Sequence, residues 1–419
     1  MNRLVLIGNG FDLAHGLKTS YADFINWYWE DWGRRLLHGL SRSESDELCS
    51  FTIKDNIGAY NWAFVWGSLY QRTDITKPWD VNLVVNLAKQ NKELCDLKMS
   101  PFLERIIKSV ETMGWVDIEN EYYDLLKHYA LNNDNDFEVV KLNKRLHCLQ
   151  EKLVEYLSQI DILDNLLNTG IRQKIYAPII IQDISIEGQQ ALKEHVEYGL
   201  KLDKWSLDMK LRQYGSMCYS SGSVEGCLKN MRKTKLQFDE LPDELFLPNH
   251  IMLLNFNYTH TAQLYLKDGS IFTVNQIHGD LSNPSSVIFG YGDELDSDYK
   301  KIVNKNDNRF LANVKSIKYL ESDNYRKVLS FIESDPYQVI VMGHSCGNSD
   351  RTLLNTLFEH KNCVSIKPYY HQIDKDHDDY IKIVQNISRN FTDMKLMRDR
   401  VVNKEYCEPF SDDSKKKTD

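Results

Sequence analysis

Four short segments of this chain put small or polar residues directly after apolar, strand-like runs. The first is Gly8-Asn9-Gly10-Phe11-Asp12, after Leu4–Ile7. Glycines let a backbone turn tightly and approach a phosphate, whose charge is favoured at a helix N-terminus. Leu13 stands where a dinucleotide fingerprint has its third glycine, so a plain tight turn explains the pair equally well. The second segment is Asn255-Phe256-Asn257-Tyr258-Thr259. Its asparagines can bind ribose hydroxyls or an amide, or they can close a loop or cap a helix. The third is Gln276-Ile277-His278-Gly279-Asp280, in which a strand-end histidine can act as acid or base near neutral pH and Asp280 can tune it. A turn histidine without chemical duty fits the same residues. The fourth, Gly343-His344-Ser345-Cys346-Gly347-Asn348-Ser349-Asp350, matches the Gly-x-Ser-x-Gly nucleophile elbow of α/β-hydrolases.

In open α/β sheets ligands bind at the carboxyl ends of strands, so the four segments are expected to converge on one cleft. A serine-hydrolase triad on Ser345 would need an acid and one of His360, His371 or His377. Little chain remains after Ser345 for the rest of such a fold, and the other three segments would have no task. Within Trp115-Val-Asp117-Ile-Glu119-Asn-Glu121, Asp117 and Glu121 would share a helical face. They would reach the cleft, help bind a metal, or stay on a solvated face. No His/Cys cluster has zinc spacing, and no metal is expected.

The elements that must position these residues are legible in outline. Apolar or β-branched runs at Leu4–Ile7, Ile251–Leu254, Phe272–Val274, Val287–Phe289, Gln338–Met342 and Cys363–Ile366 read as strands. Helical stretches such as Asn324–Ile332 and Arg351–Glu359 lie between the later ones. This alternation implies a Rossmann-like α/β core with a parallel sheet and flanking helices. Its expected parts are residues 1–30 and 246–400. Ser20 is a candidate N-cap for a helix carrying Phe24, Ile25, Trp27 and Tyr28. From 31 to 245 helical spacing dominates, as in Leu146, Leu149, Leu153, Tyr156 and Leu157, and the segment reads as a mainly helical insertion. Tyr176–Ile181 fits a strand or a helix. Residues 401–419 read as a flexible tail.

The 419 residues are 42% hydrophobic and 26% charged, enough for a sizeable core, and the net charge of −9 gives no strong nucleic-acid signal. No apolar run approaches a membrane span, and the N-terminus lacks a signal peptide. A cytoplasmic protein is expected. Its eight scattered cysteines form no disulfide framework and read as reduced, packed thiols.

The order of the landmarks resembles the AbiH family of bacterial phage abortive-infection proteins. The match rests on Leu6-Ile-Gly8-Asn-Gly10-Phe-Asp12-Leu with Gly16-Leu-Lys-Thr-Ser-Tyr21. It continues through Trp115-Val-Asp117-Ile-Glu119, Asn255-Phe-Asn257-Tyr-Thr259, Ile277-His278-Gly279, and Gly343-His-Ser345 through Ser349-Asp350. The same order also looks like a remote echo of sirtuin-type NAD sites. There a Gly-Ala-Gly-x-Ser loop, an Asn-x-Asp segment, a histidine before glycine and a late Gly-x-Ser occupy corresponding places. This chain departs from that pattern with Asp12 for the loop serine, Thr259 for the aspartate, Tyr21 for an arginine, and no four-cysteine zinc module.

The resemblance implies an anti-phage effector that binds NAD and cleaves its nicotinamide–ribose bond. His278 and Asn257 would be catalytic, and Gly8, Asn9, Gly10, Asp12, Asn255, Gly343, Ser345 and Asp350 would bind the nucleotide. A phage-derived trigger and a homo-oligomer are compatible with it. A nucleotide sensor without turnover, or the Ser345 hydrolase, are the alternatives.

Overall fold

The structure is a computed structural model. It describes residues 1–38, 43–54, 92, 95–113, 117–132, 136–163, 166–201, 213–214, 241, 243–267, 269 and 271–411. The described chain divides into two compact units. One comprises Met1–Leu17, Ile162–Val287 and Tyr319–Asp419, and the other Lys18–Asp161 and Ile288–Lys318. The stretch 31–245, expected as one insertion, is thus shared between both units.

The first unit is built on β1 (Asn2–Ile7), β5 (Ile251–Asn255), β6 (Phe272–Gln276), β7 (Tyr337–Met342) and β8 (Cys363–Tyr369). They form one parallel sheet in the order β6-β5-β1-β7-β8. Numbered within the sheet, that is 3-2-1-4-5, the Rossmann-like doubly wound order, and it reverses between β1 and β7. β1, β5, β7 and β8 are buried at every position, which is why their stretches Leu4–Ile7, Ile251–Leu254 and Val339–Met342 read as continuous apolar runs. One face packs Val5, Ile7, Leu253, Ile340 and Met342 against Ile171, Ile175 and Tyr176 of the helix Thr169–Tyr176. The helices Asn324–Ser334 and Arg351–Glu359 form as expected, the second burying Leu353, Leu354, Leu357 and Phe358.

Three expectations for this unit change. Tyr176 ends a helix, and no strand follows it. The carbonyls of Ile175, Ala177 and Pro178 go to the Arg3 guanidinium, and Pro178 has no amide to give a ladder. β8 runs past Ile366 to Tyr369 because Lys367 buries its charge against Asp183, 2.9 Å away. Residues 401–411 are seated on the core: Val402 N donates to Ile366 O (3.0 Å), Phe410 N donates to Tyr370 O (2.7 Å), and Phe410 joins the buried cluster. The apolar side chains of Val402 and Phe410 override the polar composition around them. Residues 412–419 lie outside the described residues.

The second unit contains the helices Tyr21–His38, Pro101–Met113, Ile118–Leu131 and Asp136–Leu157. It also holds a small antiparallel sheet of β2 (Ser43–Ser45), β3 (Cys49–Ile53) and β4 (Cys95–Met99). Ser20 caps the first helix in a box with Asp23: Asp23 N donates to Ser20 Oγ at 3.1 Å and Ser20 N to Asp23 Oδ2 at 3.3 Å. Leu142, Leu146, Leu149 and Leu153 are buried on Asp136–Leu157. Val287, the last residue of a first-unit segment, and Ile288 and Phe289, which open a second-unit segment, are buried but form no strand. The amides that follow them go elsewhere, Gly290 N to Glu119 Oε1 (3.0 Å) and Tyr291 N to Asn313 O (3.0 Å). No described helix is long and apolar enough to cross a membrane. Cys218, Cys227 and the Ser220-Ser221-Gly222 break lie outside the described residues.

Candidate functional site

Four of the five strands of the first unit end in the segments singled out by sequence. The loops after β1 and β7 interlock through three glycines. Gly8 N donates to Met342 O (3.3 Å) and Gly10 N to Gly343 O (2.8 Å). A Cβ on Gly8 would lie 2.5 Å from His344 Cα, and one on Gly10 would lie 2.8 Å from Gly343 Cα. Gly343 has φ +73°, and its Cβ would meet Phe11 N at 2.1 Å. The glycines therefore serve close loop-to-loop packing. The Gly8 and Gly10 amides, expected to cradle a phosphate, are spent on the neighbouring loop. Asn9 stands exposed at the tip.

Asp12 follows on the short helix Asn9–Ala14 and is 1% exposed. Its Oδ2 accepts the Thr259 hydroxyl at 2.6 Å, whereas Oδ1 is buried without a hydrogen-bond partner among the described residues. Burial pushes its carboxyl up to about 6, against the hydroxyls of Thr259 and Thr261 and the Asn257 amide, which pull it down.

After β5, Asn255 closes its own turn: Oδ1 accepts Asn257 N (3.1 Å) and Nδ2 donates to Thr259 O (3.0 Å). Asn255 is thereby a scaffold residue. Asn257 Nδ2 donates to Gly8 O (3.0 Å) and ties the β5 loop to the β1 loop.

After β6, His278 is buried with Nε2 3.2 Å from Asp350 Oδ1 and 3.2 Å from the Tyr319 hydroxyl. The Tyr319 ring lies parallel to the imidazole at 6.2 Å, and Tyr325 stacks beyond it at 5.5 Å. Asp280, expected to tune His278, instead accepts the amides of Ser282 (2.8 Å) and Asn283 (3.2 Å) and shapes the turn. The carboxylate on His278 is Asp350, brought by the segment after β7.

Asp350 carries a second imidazole. His344 Nδ1 accepts the Cys346 amide at 2.9 Å, so Nε2 holds the proton and points it at Asp350 Oδ2, 3.6 Å away. Phe256 packs on both rings, 4.1 Å from His344 and 5.3 Å from His278. Asp350, expected to bind nucleotide, here holds two histidines. His344, Tyr319 and Phe256 were missed. His344 sat inside a motif as its spacer, and Tyr319 has no motif at all.

Ser345 is exposed, and its carbonyl accepts Asn386 Nδ2 at 2.7 Å. Among the described residues its hydroxyl bonds to no histidine. His360 pairs with Glu333 (3.1 Å) and His377 with Asp374 (2.8 Å). The positive φ falls on Cys346 (+53°), whose thiol is buried and pushed up by desolvation. The helix starts only at Arg351. A nucleophile elbow puts the serine itself on the strained strand-to-helix turn, and this segment does not.

The acidic motif in the second unit is local scaffolding. Asp117 caps Ile118–Leu131 by accepting Asn120 N (3.0 Å), and Glu121 accepts the Ser109 hydroxyl (2.6 Å). Glu119 is buried, bonded to Lys315 (2.7 Å) and Gly290 N. Trp115 lies outside the described residues. In the first unit a concavity of about 600 Å³, lined by Ala14, Asn168, Lys174 and Phe410 among others, holds none of the site residues.

Chemically, the first unit offers two groups at one sheet edge. One is a carboxyl with an unused oxygen beside two threonines and an asparagine. The other is an imidazole held by a carboxylate. Compared with known families, residues 4–371 match the model described as Bacteriophage abortive infection AbiH. No curated protein and no solved structure matches the chain.

Proposed function

The chain belongs to the bacteriophage abortive infection AbiH family, and on that premise we propose that it is a defence effector that binds NAD and cleaves the nicotinamide–ribose bond. The observation that carries this reading is the His278–Asp350 pair at 3.2 Å, held at the carboxyl edge of a sheet of order 3-2-1-4-5. The likeness of the Asn257, His278 and Gly343–Ser345 segments to sirtuin-type NAD sites supports it by analogy.

With its Nε2 proton directed at Asp350, the basic atom of His278 is Nδ1. The C1′–N1 bond of NAD breaks, and its electron pair goes to the ring nitrogen, turning the cationic pyridinium into neutral nicotinamide. Water adds to the oxocarbenium-like C1′, and His278 takes the proton that water loses. Asn257 holds the nicotinamide ribose, and exposed Ser345 contacts ribose without acting as nucleophile. Fixed positioning of ribose and base supplies much of such a rate.

The test is release of free nicotinamide from NAD by the purified chain, with and without phage components. Wild type should release it, and His278→Ala should lower the rate by about 10²–10⁴. Release by the folded His278→Ala variant at the wild-type rate would overturn the assignment. A nucleotide sensor without turnover draws on one observation, the burial of His278 at 4% exposure. Tight NAD binding with no nicotinamide under any condition would favour it.

A further inference from the structure

Asp12 presents a buried carboxyl with one oxygen engaged and one unused. Oδ2 accepts the Thr259 hydroxyl, and Oδ1 has no hydrogen-bond partner among the described residues. The groups facing it are Thr259, Thr261 and Asn257 from the segment after β5. On its own helix, His15 is committed elsewhere, with Nδ1 on Phe11 O (2.7 Å) and Nε2 on the Tyr265 hydroxyl. Among the described residues no lysine or arginine pairs with Asp12. A buried acceptor left unmade is costly, so its surroundings call for a role beyond packing. Holding Thr259 needs only one carbonyl-type oxygen, which an asparagine would provide without the burden of a buried acid. What the carboxyl adds is a second acceptor and an ionisable charge.

Position narrows the class of ligand. Asp12 follows β1, the strand at which the sheet order reverses, where α/β sheets bind ligands. An acceptor-only oxygen set among hydroxyls and an amide is matched by a ligand carrying O–H donors. We propose that Asp12, held by Thr259, is an ionisable acceptor for the vicinal hydroxyls of the ribose that carries nicotinamide, the terminal ribose of ADP-ribose, a role that rests on the nucleotide reading above. Hydroxyl donors favour the ionised carboxylate, so binding releases the proton that burial retains on Asp12. Affinity therefore rises with pH through about 6.

The experiment is calorimetric titration of the full chain with ADP-ribose and with ADP, which lacks the terminal ribose. It is run from pH 5 to 7.5 in two buffers of different ionisation enthalpy. Wild type should bind ADP-ribose about tenfold or more tightly at pH 7.5 than at pH 5, with proton release near one per ligand at the lower pH values. Asp12→Asn should weaken ADP-ribose about tenfold and abolish both the pH dependence and the proton release, while leaving ADP unchanged. Should Asp12→Asn fail to fold, Thr259→Val removes the hydroxyl that favours the carboxylate, and it should move the midpoint of the wild-type pH dependence upward. ADP-ribose binding that is flat in pH, insensitive to Asp12→Asn, or absent overturns the proposal. Nicotinamide release from NAD is measured on the same preparations. Proton-linked binding without release removes only the cleavage reading, and release with binding insensitive to Asp12 removes only this one.

Discussion

His278 Nε2 lies 3.2 Å from Asp350 Oδ1, joining the end of β6 to the segment after β7 on the far side of β5 and β1. The same carboxylate faces His344 Nε2 at 3.6 Å, so it is fixed from two sides. Asp350→Asn keeps the shape but loses the charge that orients the imidazole. Nicotinamide release should fall roughly 10–100-fold, less than for His278→Ala, because the base remains. Ser345→Ala should lose only part of the rate, and a serine-reactive probe should not label the wild type. Steady-state assays on the three variants check the order, and a Ser345→Ala loss exceeding that of His278→Ala would reverse the assignment.

The glycine interlock predicts a graded stability series. Gly343→Ala combines a left-handed φ of +73° with a Cβ 2.1 Å from Phe11 N, so backbone must move. It should cost several-fold more than the roughly 1–2 kcal/mol of the conformation alone. Gly16 has nearly the same φ, +77°, but open space around its Cβ, and Gly16→Ala should cost only that 1–2 kcal/mol. Urea midpoints compare the two, and equal losses would mean that the loop contact carries no weight.

In the second unit, Lys315 and Glu119 are buried together at 2.7 Å, with Gly290 N on the other carboxylate oxygen. Removing one charge strands the other, so Lys315→Met should destabilise by about 3–5 kcal/mol. Adding Glu119→Gln should recover part of that, because the amide oxygen can still accept from Gly290. Denaturation of the two singles and the double variant tests the coupling. Additive losses would show that the pair does not interact.

The strands were legible because buried parallel strands are short apolar runs, and Leu4–Ile7, Ile251–Leu254 and Val339–Met342 supply them to β1, β5 and β7. The end of β8 was hidden by Lys367 and Pro368. The lysine is neutralised by Asp183, and the proline sits on an edge strand, where a missing donor is tolerated. Val287–Phe289 misled because burial alone does not make a ladder. At the site, each segment was found but its wiring was not. Asp280 is the sequence neighbour of His278, yet turn closure claims it, and the partner arrives from a distant loop. Nothing in composition or spacing marks Tyr319, whose place beside His278 is a product of tertiary packing.

Asp12 also makes a prediction for the free protein. Burial holds its carboxyl at about 6 in the folded chain, above the ordinary 3.8, so the folded state binds this proton more tightly than the unfolded state. The group's contribution to stability is fully present below about pH 4 and is lost as pH rises through about 6. Over that window the loss is about 3 kcal/mol, at about 1.4 kcal/mol per tenfold change in proton affinity. Asp12→Asn has no proton to lose and keeps an oxygen for the Thr259 hydroxyl. Relative to wild type it should be near-neutral at pH 4 and more stable by about 2–3 kcal/mol at pH 7. Asp183 is also raised by burial, though its Lys367 partner opposes the shift, and its contribution is common to both proteins and cancels in the difference. Urea unfolding of the pair at pH 4, 5, 6 and 7 measures that difference directly. A gap that does not widen with pH would mean that Asp12 is not carrying a proton in the fold. A widening gap would show a residue that costs stability at neutral pH, as expected of a group kept for a ligand.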